Sequence, residues 1–224
     1  GRNIIRTEKD GTTTVLADKH EGKRFSSPND VVVARDGTVW FTDPHYGLPK
    51  DAKKETEGNF VYRLDPATGK TTVVSKEFNM PNGLAFSPDE KRLYIADSGK
   101  PRKIRVYDVQ ADGTLAGGKD FAAIDKGGPD GIRVDADGRV WSSAGDGVHI
   151  FGTDGALIGK ILCPESPANL CFGGADGKTP VNGSGDGWAH RIQRKKKINV
   201  ALSDNNFTDM SQNAGTRRSD RKPI

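Results

Sequence analysis

Short apolar runs, cut by Pro, Asn, Asp and Gly, recur along this chain in one fixed order. A Pro is followed by a polar loop residue and a short apolar run. An Asp-centred turn comes next, then a second apolar run. The first instance is Pro28-Asn29-Asp30-Val31-Val32-Val33, then Asp36-Gly37, then Val39-Trp40-Phe41-Thr42-Asp43. The second is Pro81-Asn82-Gly83-Leu84-Ala85-Phe86, with Leu93-Tyr94-Ile95-Ala96-Asp97 beyond the turn at Asp89. The third joins Pro129-Asp130-Gly131-Ile132 to Val140-Trp141 across Asp137-Gly138. A fourth opens at Pro167-Ala168-Asn169-Leu170-Cys171-Phe172 and has no apolar second run after Asp176-Gly177. Runs this short, rich in β-branched and aromatic residues and bounded by turn formers, predict strands.

Between these phrases lie hairpins of a second kind. Residues 4–5 and 12–16 flank Lys9-Asp10-Gly11, and residues 60–64 and 71–74 flank a turn from Asp65 to Gly69. Two more are centred on Ala111-Asp112-Gly113 and Gly152-Thr153-Asp154-Gly155. Each unit therefore has an inner strand pair and an outer hairpin. Four-stranded units recurring at about 40–50 residues mark a β-propeller, whose small sheets bury their faces only against neighbours. The fold class is all-β, with whole blades expected at 27–75, 80–125 and 128–162 and another starting at 166. The chain opens on an outer hairpin without its inner pair, and an open ring leaves sheet edges bare. The expectation is an incomplete propeller, a fragment of a larger ring, over residues 1–178.

Composition agrees where it speaks. Of 224 residues 28 are Gly and 7% are aromatic, which suits short strands and tight turns. Mean hydropathy is −0.65, and no apolar run approaches the ~18 residues of a membrane span. The chain starts Gly1-Arg2-Asn3-Ile4, without the basic-then-apolar opening of a signal peptide, so the compartment is left open. Net charge is +4, but the excess lies in residues 178–224, with 10 basic and 4 acidic side chains. That basic tail from Thr179 is polar and aperiodic and is expected to be disordered. Without interleaved aromatics it gives no nucleic-acid reading. Cys163 and Cys171 have no metal-ligand spacing and are expected to be buried free thiols, although a hairpin could bring them together.

The repeat register carries the chemistry. It sets Asn29, Asn82, Asp130 and Asn169 at one point of successive units, where a propeller would converge them on its axis. Asn or Asp before Gly also forms ordinary turns, the bland reading of Asn82-Gly83 and Asp130-Gly131. Four in register favour a polar site. Asp43 and Asp97, closing equivalent strands, are expected to hydrogen-bond rather than ligate. Trp40, Tyr94 and Trp141 are expected between blades. The four histidines share no repeat position, although His45 could line the mouth. A serine-hydrolase motif is present only in part, at Gly183-Ser184-Gly185 in the tail.

The phrases Arg24-Phe25-Ser26-Ser27-Pro28-Asn29-Asp30, Trp40-Phe41-Thr42-Asp43-Pro44-His45-Tyr46-Gly47, Met80-Pro81-Asn82-Gly83-Leu84 and Gly128-Pro129-Asp130-Gly131 resemble those of the gluconolactonase family, which includes senescence marker protein (regucalcin). The resemblance covers roughly residues 1–178. It implies a six-bladed propeller with a divalent metal, calcium, at the axis and hydrolysis of a small sugar lactone. By matching phrases, Asn82 and Asp130 would be metal ligands and Asp130 the general base. Asn29 would contact metal or substrate, and Arg24 would be a substrate contact. The family also places a Glu ligand in a Glu-Gly/Ser-Pro phrase near the N-terminus. Neither Glu8 nor Glu21 stands in one, so this chain is expected to be a weak enzyme. Few charges around a hard cation leave it Lewis acidic, able to polarise a lactone carbonyl while Asp130 takes a proton from water. The alternative is a propeller that binds calcium, a ligand or a protein without catalysis, since fold alone does not decide function.

Overall fold

The computed structural model describes residues 2–173, together with the backbone of three further strands at 179–184, 189–191 and 200–202. A hairpin opens the chain, β1 (Ile4–Thr7) against β2 (Thr13–Ala17), followed by a minimal pair, β3 (Lys19–His20) and β4 (Lys23–Arg24). Two complete antiparallel four-stranded sheets come next, each in simple meander order. The first blade is β5 (Val31–Val33), β6 (Val39–Asp43), β7 (Phe60–Asp65) and β8 (Lys70–Ser75). The second is β9 (Pro81–Phe86), β10 (Arg92–Asp97), β11 (Lys103–Val109) and β12 (Leu115–Ala123). In the third, β13 (Ile132–Val134), β14 (Val140–Ala144), β15 (Gly147–Phe151) and β16 (Leu157–Leu162) are extended by a later strand. The fourth has β17 (Pro167–Gly173), β18 (Thr179–Ser184) and β19 (Ala189–Arg191), and β20 (Val200–Leu202) pairs with β16. The fold is a β-propeller, incomplete in this chain, with no helix among the described residues.

The reason for near-continuous apolar second strands is visible in their packing. Successive side chains of a strand point to opposite faces, and in a blade both faces are covered. On β6, Phe41 points toward Ile4, Phe25 and Tyr62, while Trp40 points toward Leu84, Leu93 and Ile95 of the next blade. On β10, Leu93 and Ile95 return that contact, and Tyr94 and Ala96 turn to Ile132, Val140 and Phe151. On β14, Trp141 turns onward to Leu170 and Phe172. Trp40, Tyr94 and Trp141 thus sit between blades as expected, at 2, 2 and 7% exposure.

Two expectations need correction. The fourth unit has a second strand, since β18 pairs antiparallel with β17 from Gly173↔Thr179 to Pro167↔Ser184. Ladder bonds come from the backbone, so a segment without apolar alternation can still add to a sheet that has an open edge. Cys163 and Cys171 form no disulfide and are not buried, the first half-exposed and the second exposed. The disorder expected of the remaining tail lies outside the described residues.

Candidate active site at the propeller axis

The first two blades set their Pro-Asn phrase through the same kind of loop. In the first, the Asp43 carboxylate at the end of β6 accepts the N–H groups of Ser26 and Ser27 at 2.8 and 2.7 Å. In the second, Asp97 accepts those of Asn79 and Met80, both at 2.9 Å, and of Gly99 at 3.0 Å. These buried carboxylates clamp the two residues before Pro28 and Pro81, which sets where the following Asn emerges. They are hydrogen-bonding anchors, as expected. Burial nevertheless pushes Asp43 up to about 6, against the pull of its two N–H donors.

Asn82 and Asp130 come together. Asn82 is 5% exposed, and its Nδ2 donates to Ser98 Oγ at 2.8 Å. Ser98 Oγ in turn donates to the carbonyl of Pro129, tying the loop after β10 to the residue before Asp130. The Asn82 side-chain oxygen is buried without a hydrogen-bond partner. Asp130 is half-buried, with its main-chain N–H on Ser143 Oγ at 3.0 Å. Burial lifts its carboxyl to about 6; the Asn82 amide lowers it and the charge of Asp30 raises it again.

Asp30, rather than Asn29, is the first-blade residue whose charge reaches this cluster. Its side chain is 13% exposed, with Oδ2 3.9 Å from Arg133 Nη1. Burial pushes its carboxyl up, offset by the Val31 N–H, Arg133 and the Leu84 N–H. Tyr46, in the loop after β6, faces the same group. Burial and the charges of Asp130 and Asp30 push its phenol up, so it stays a neutral donor. Asn29 is exposed and lines a groove with Asn3, Ile5 and Val31. Arg24 is exposed on β4, with its N–H on Glu55 Oε2 at 2.8 Å.

Asn169 does not occupy the point held by Asn82 and Asp130. Asp130 and Ala168 are the equivalent residues, because each presents its carbonyl to the glycine N–H of the preceding blade. Asn169 instead matches Asp30: each side chain accepts the N–H of the next residue, at 2.8 and 2.9 Å. Aligning the phrases on Pro and the apolar run, rather than on Asn, would have shown both this shift and the place of Asp30.

Three histidines are among the described side chains. His20 meets Thr71, His45 meets Asn59 on the exposed surface, and His149 is buried against Asp146. Among the described residues no three His, Cys, Asp or Glu side chains form a metal cluster. Two carboxylates and an unpartnered amide oxygen do form a set of hard oxygen donors. That set fits a hard divalent cation, because the cation would satisfy the buried Asn82 oxygen and offset two crowded carboxylates.

Comparisons with known proteins bear on this arrangement. A model of the SMP-30/Gluconolactonase/LRE-like region matches residues 1–180. Gluconolactonase of Zymomonas mobilis is 38% identical over 174 residues, 71% of this chain and 49% of that protein. Pentonolactonase XacC of Haloferax volcanii is 30% identical over 188 residues, 78% of this chain and 62% of that protein. Among solved structures, a Xanthomonas campestris gluconolactonase superposes with a TM-score of 0.78 at 38% identity, covering 84% of this chain and 64% of that one. The chain spans about half the length of the Zymomonas protein it matches.

Proposed function

The chain belongs to the SMP-30/gluconolactonase/LRE-like family, and from that membership we propose that it hydrolyses a small sugar lactone at the axial site of Asp130 and Asn82. Gluconolactonases and a pentonolactonase among its relatives support this substrate class. The observation that carries it is the buried, unpartnered Asn82 side-chain oxygen, in a residue whose amide also acts on the Asp130 carboxylate. A buried polar atom without a partner costs free energy, and a bound cation would supply the missing partner.

Asn82 and Asp130 would hold a divalent cation, calcium, with the Asp30 charge nearby. Bound there, the cation would supply Lewis acidity toward the lactone carbonyl. Asp130, ionised above about pH 6, accepts a proton from the attacking water. Water oxygen then bonds to the carbonyl carbon, the ring C–O bond breaks, and the ring oxygen leaves with a proton as a hydroxyl. Tyr46, neutral across this pH range, is a donor for a substrate hydroxyl or for that leaving oxygen. Arg24 and Asn29 remain candidate substrate contacts at the rim.

Acid release from glucono-lactone in the presence of calcium tests the reading, followed by pH-stat with wild type and Asp130→Asn. Turnover by wild type and its loss in the variant support it. Calcium binding without acid release would instead make this a ligand-binding propeller. Undiminished turnover by Asp130→Asn would move the chemistry elsewhere.

A further inference from the structure

At the axis, two of the seams between described blades follow one rule. Gly83 N–H donates to the Asp130 carbonyl at 3.0 Å, and Gly131 N–H donates to the Ala168 carbonyl at 2.8 Å. Neither glycine could carry a side chain. A Cβ on Gly83 would overlap the Asp130 carbonyl oxygen, and one on Gly131 would overlap Asn169. Direct backbone contact therefore requires glycine at this point.

The seam between the first and second blades is built differently. Asp30 stands where the others have glycine, and its Cβ excludes the direct bond. Its N–H donates to Thr42 Oγ1 at 3.2 Å, and Thr42 Oγ1 donates to the Asn82 carbonyl at 2.8 Å. Thr42 is fully buried, so its hydroxyl replaces the missing bond with one relay and fixes its own proton. The Asp30 carboxylate then spans the gap beside it. Oδ1 accepts Val31 N–H at 2.9 Å and Oδ2 accepts Leu84 N–H at 3.3 Å, with Arg133 on the far side. Asn82 is consequently held at its own carbonyl by Thr42 and two residues later by Asp30.

We propose that Asp30 and Thr42 form a side-chain bridge that positions Asn82 against Asp130, an inference that rests on the axial site proposed above. A glycine at position 30 would permit the ordinary seam. The substituted seam occurs where the buried Asn82 oxygen must be aimed, and it brings a second carboxylate to Asp130. Asp30 and Thr42 are positioning residues that act through Asn82.

The test uses the labelled full chain and three substitutions: Asp30→Ala, Thr42→Val and the conservative Thr42→Ser. Asp30→Ala should speed hydrogen exchange of the Leu84 amide about tenfold or more while leaving the Ile95 amide unchanged. Thr42→Val should shift the Asn82 side-chain amide resonances, and Thr42→Ser should restore them. Titration with calcium alone should show affinity about tenfold or more weaker in Asp30→Ala and Thr42→Val, with Thr42→Ser close to wild type. Wild-type Asn82 resonances and calcium affinity in both damaged variants would overturn the inference, even if Leu84 exchange changes, because the bridge would then serve the fold alone. If wild type neither binds calcium nor opens lactones, the proposed function falls. The Leu84 and Asn82 signals then decide the bridge: both moving as stated sustains it, and either unmoved overturns it.

Discussion

Asn82 Nδ2 donates to Ser98 Oγ at 2.8 Å, while the other end of the same amide, its oxygen, is buried and unpartnered. Ser98 thus orients Asn82 without satisfying it. Replacing Ser98 with Ala frees the amide to turn, and calcium affinity should fall about threefold to tenfold while the fold persists. Titration with calcium on wild type and Ser98→Ala checks this; equal affinity would show that the orientation is held elsewhere.

Asp130→Asn should cost about a hundredfold or more in lactone turnover, the typical contribution of a positioned general base. The same change should stabilise the cation-free protein at neutral pH. Its carboxyl is lifted to about 6 by burial, so ionising it at pH 7 disfavours the folded state, and a neutral amide removes that cost. Paired measurements of turnover and melting temperature should move in opposite directions.

Stability of the cation-free protein should fall as pH rises from about 4 to about 6. The folded-state values of Asp43 and Asp130 are about 6 against 3.8 unfolded, so the folded chain holds more protons in that window. Their contribution is complete below the unfolded value and is lost as pH passes through the folded one. Asp30, raised in the same direction, adds to the trend. Urea midpoints across this range test it. Calcium should flatten the Asp130 share and leave that of Asp43.

Asp97→Ala should destabilise by about 3 kcal/mol or more, because three N–H groups lose their acceptor in a site 1% exposed. Asp97→Asn, which keeps one acceptor oxygen, should recover part of it. Denaturant midpoints for the pair give the comparison.

Gly83→Ala should cost about 1–3 kcal/mol and most of the activity, since the added methyl has to displace the carbonyl of Asp130 itself. A matched substitution at Gly37, whose Cβ position meets nothing within 4 Å, should leave turnover unchanged. Its φ of 85° still costs some stability. Turnover and thermal melting on both variants separate crowding at the axis from simple loss of glycine.

The amino-acid sequence by itself determined the first three blades. Apolar alternation, Asp-Gly turns and the recurring Pro-Asn/Asp phrase are local properties, and so are the strands, the meander order and the inter-blade places of Trp40, Tyr94 and Trp141. Asn82 and Asp130 were legible for the same reason, because each sits at a fixed offset from its Pro. The seams were not legible. Aligning the phrases on Pro sets Ala168 at the position of Asp130, but the bond from Gly131 N–H to the Ala168 carbonyl exists only once two blades are in place. Asp30 looks like an ordinary strand-leading Asp beside Asn29, and Thr42 looks like one more residue of a buried strand. Their roles arise because a Cβ at position 30 forbids the backbone contact that Gly83 and Gly131 make. Only the tertiary structure decides how that exclusion is answered, and here it is answered with a hydroxyl on the Asn82 carbonyl and a carboxylate on the Leu84 N–H.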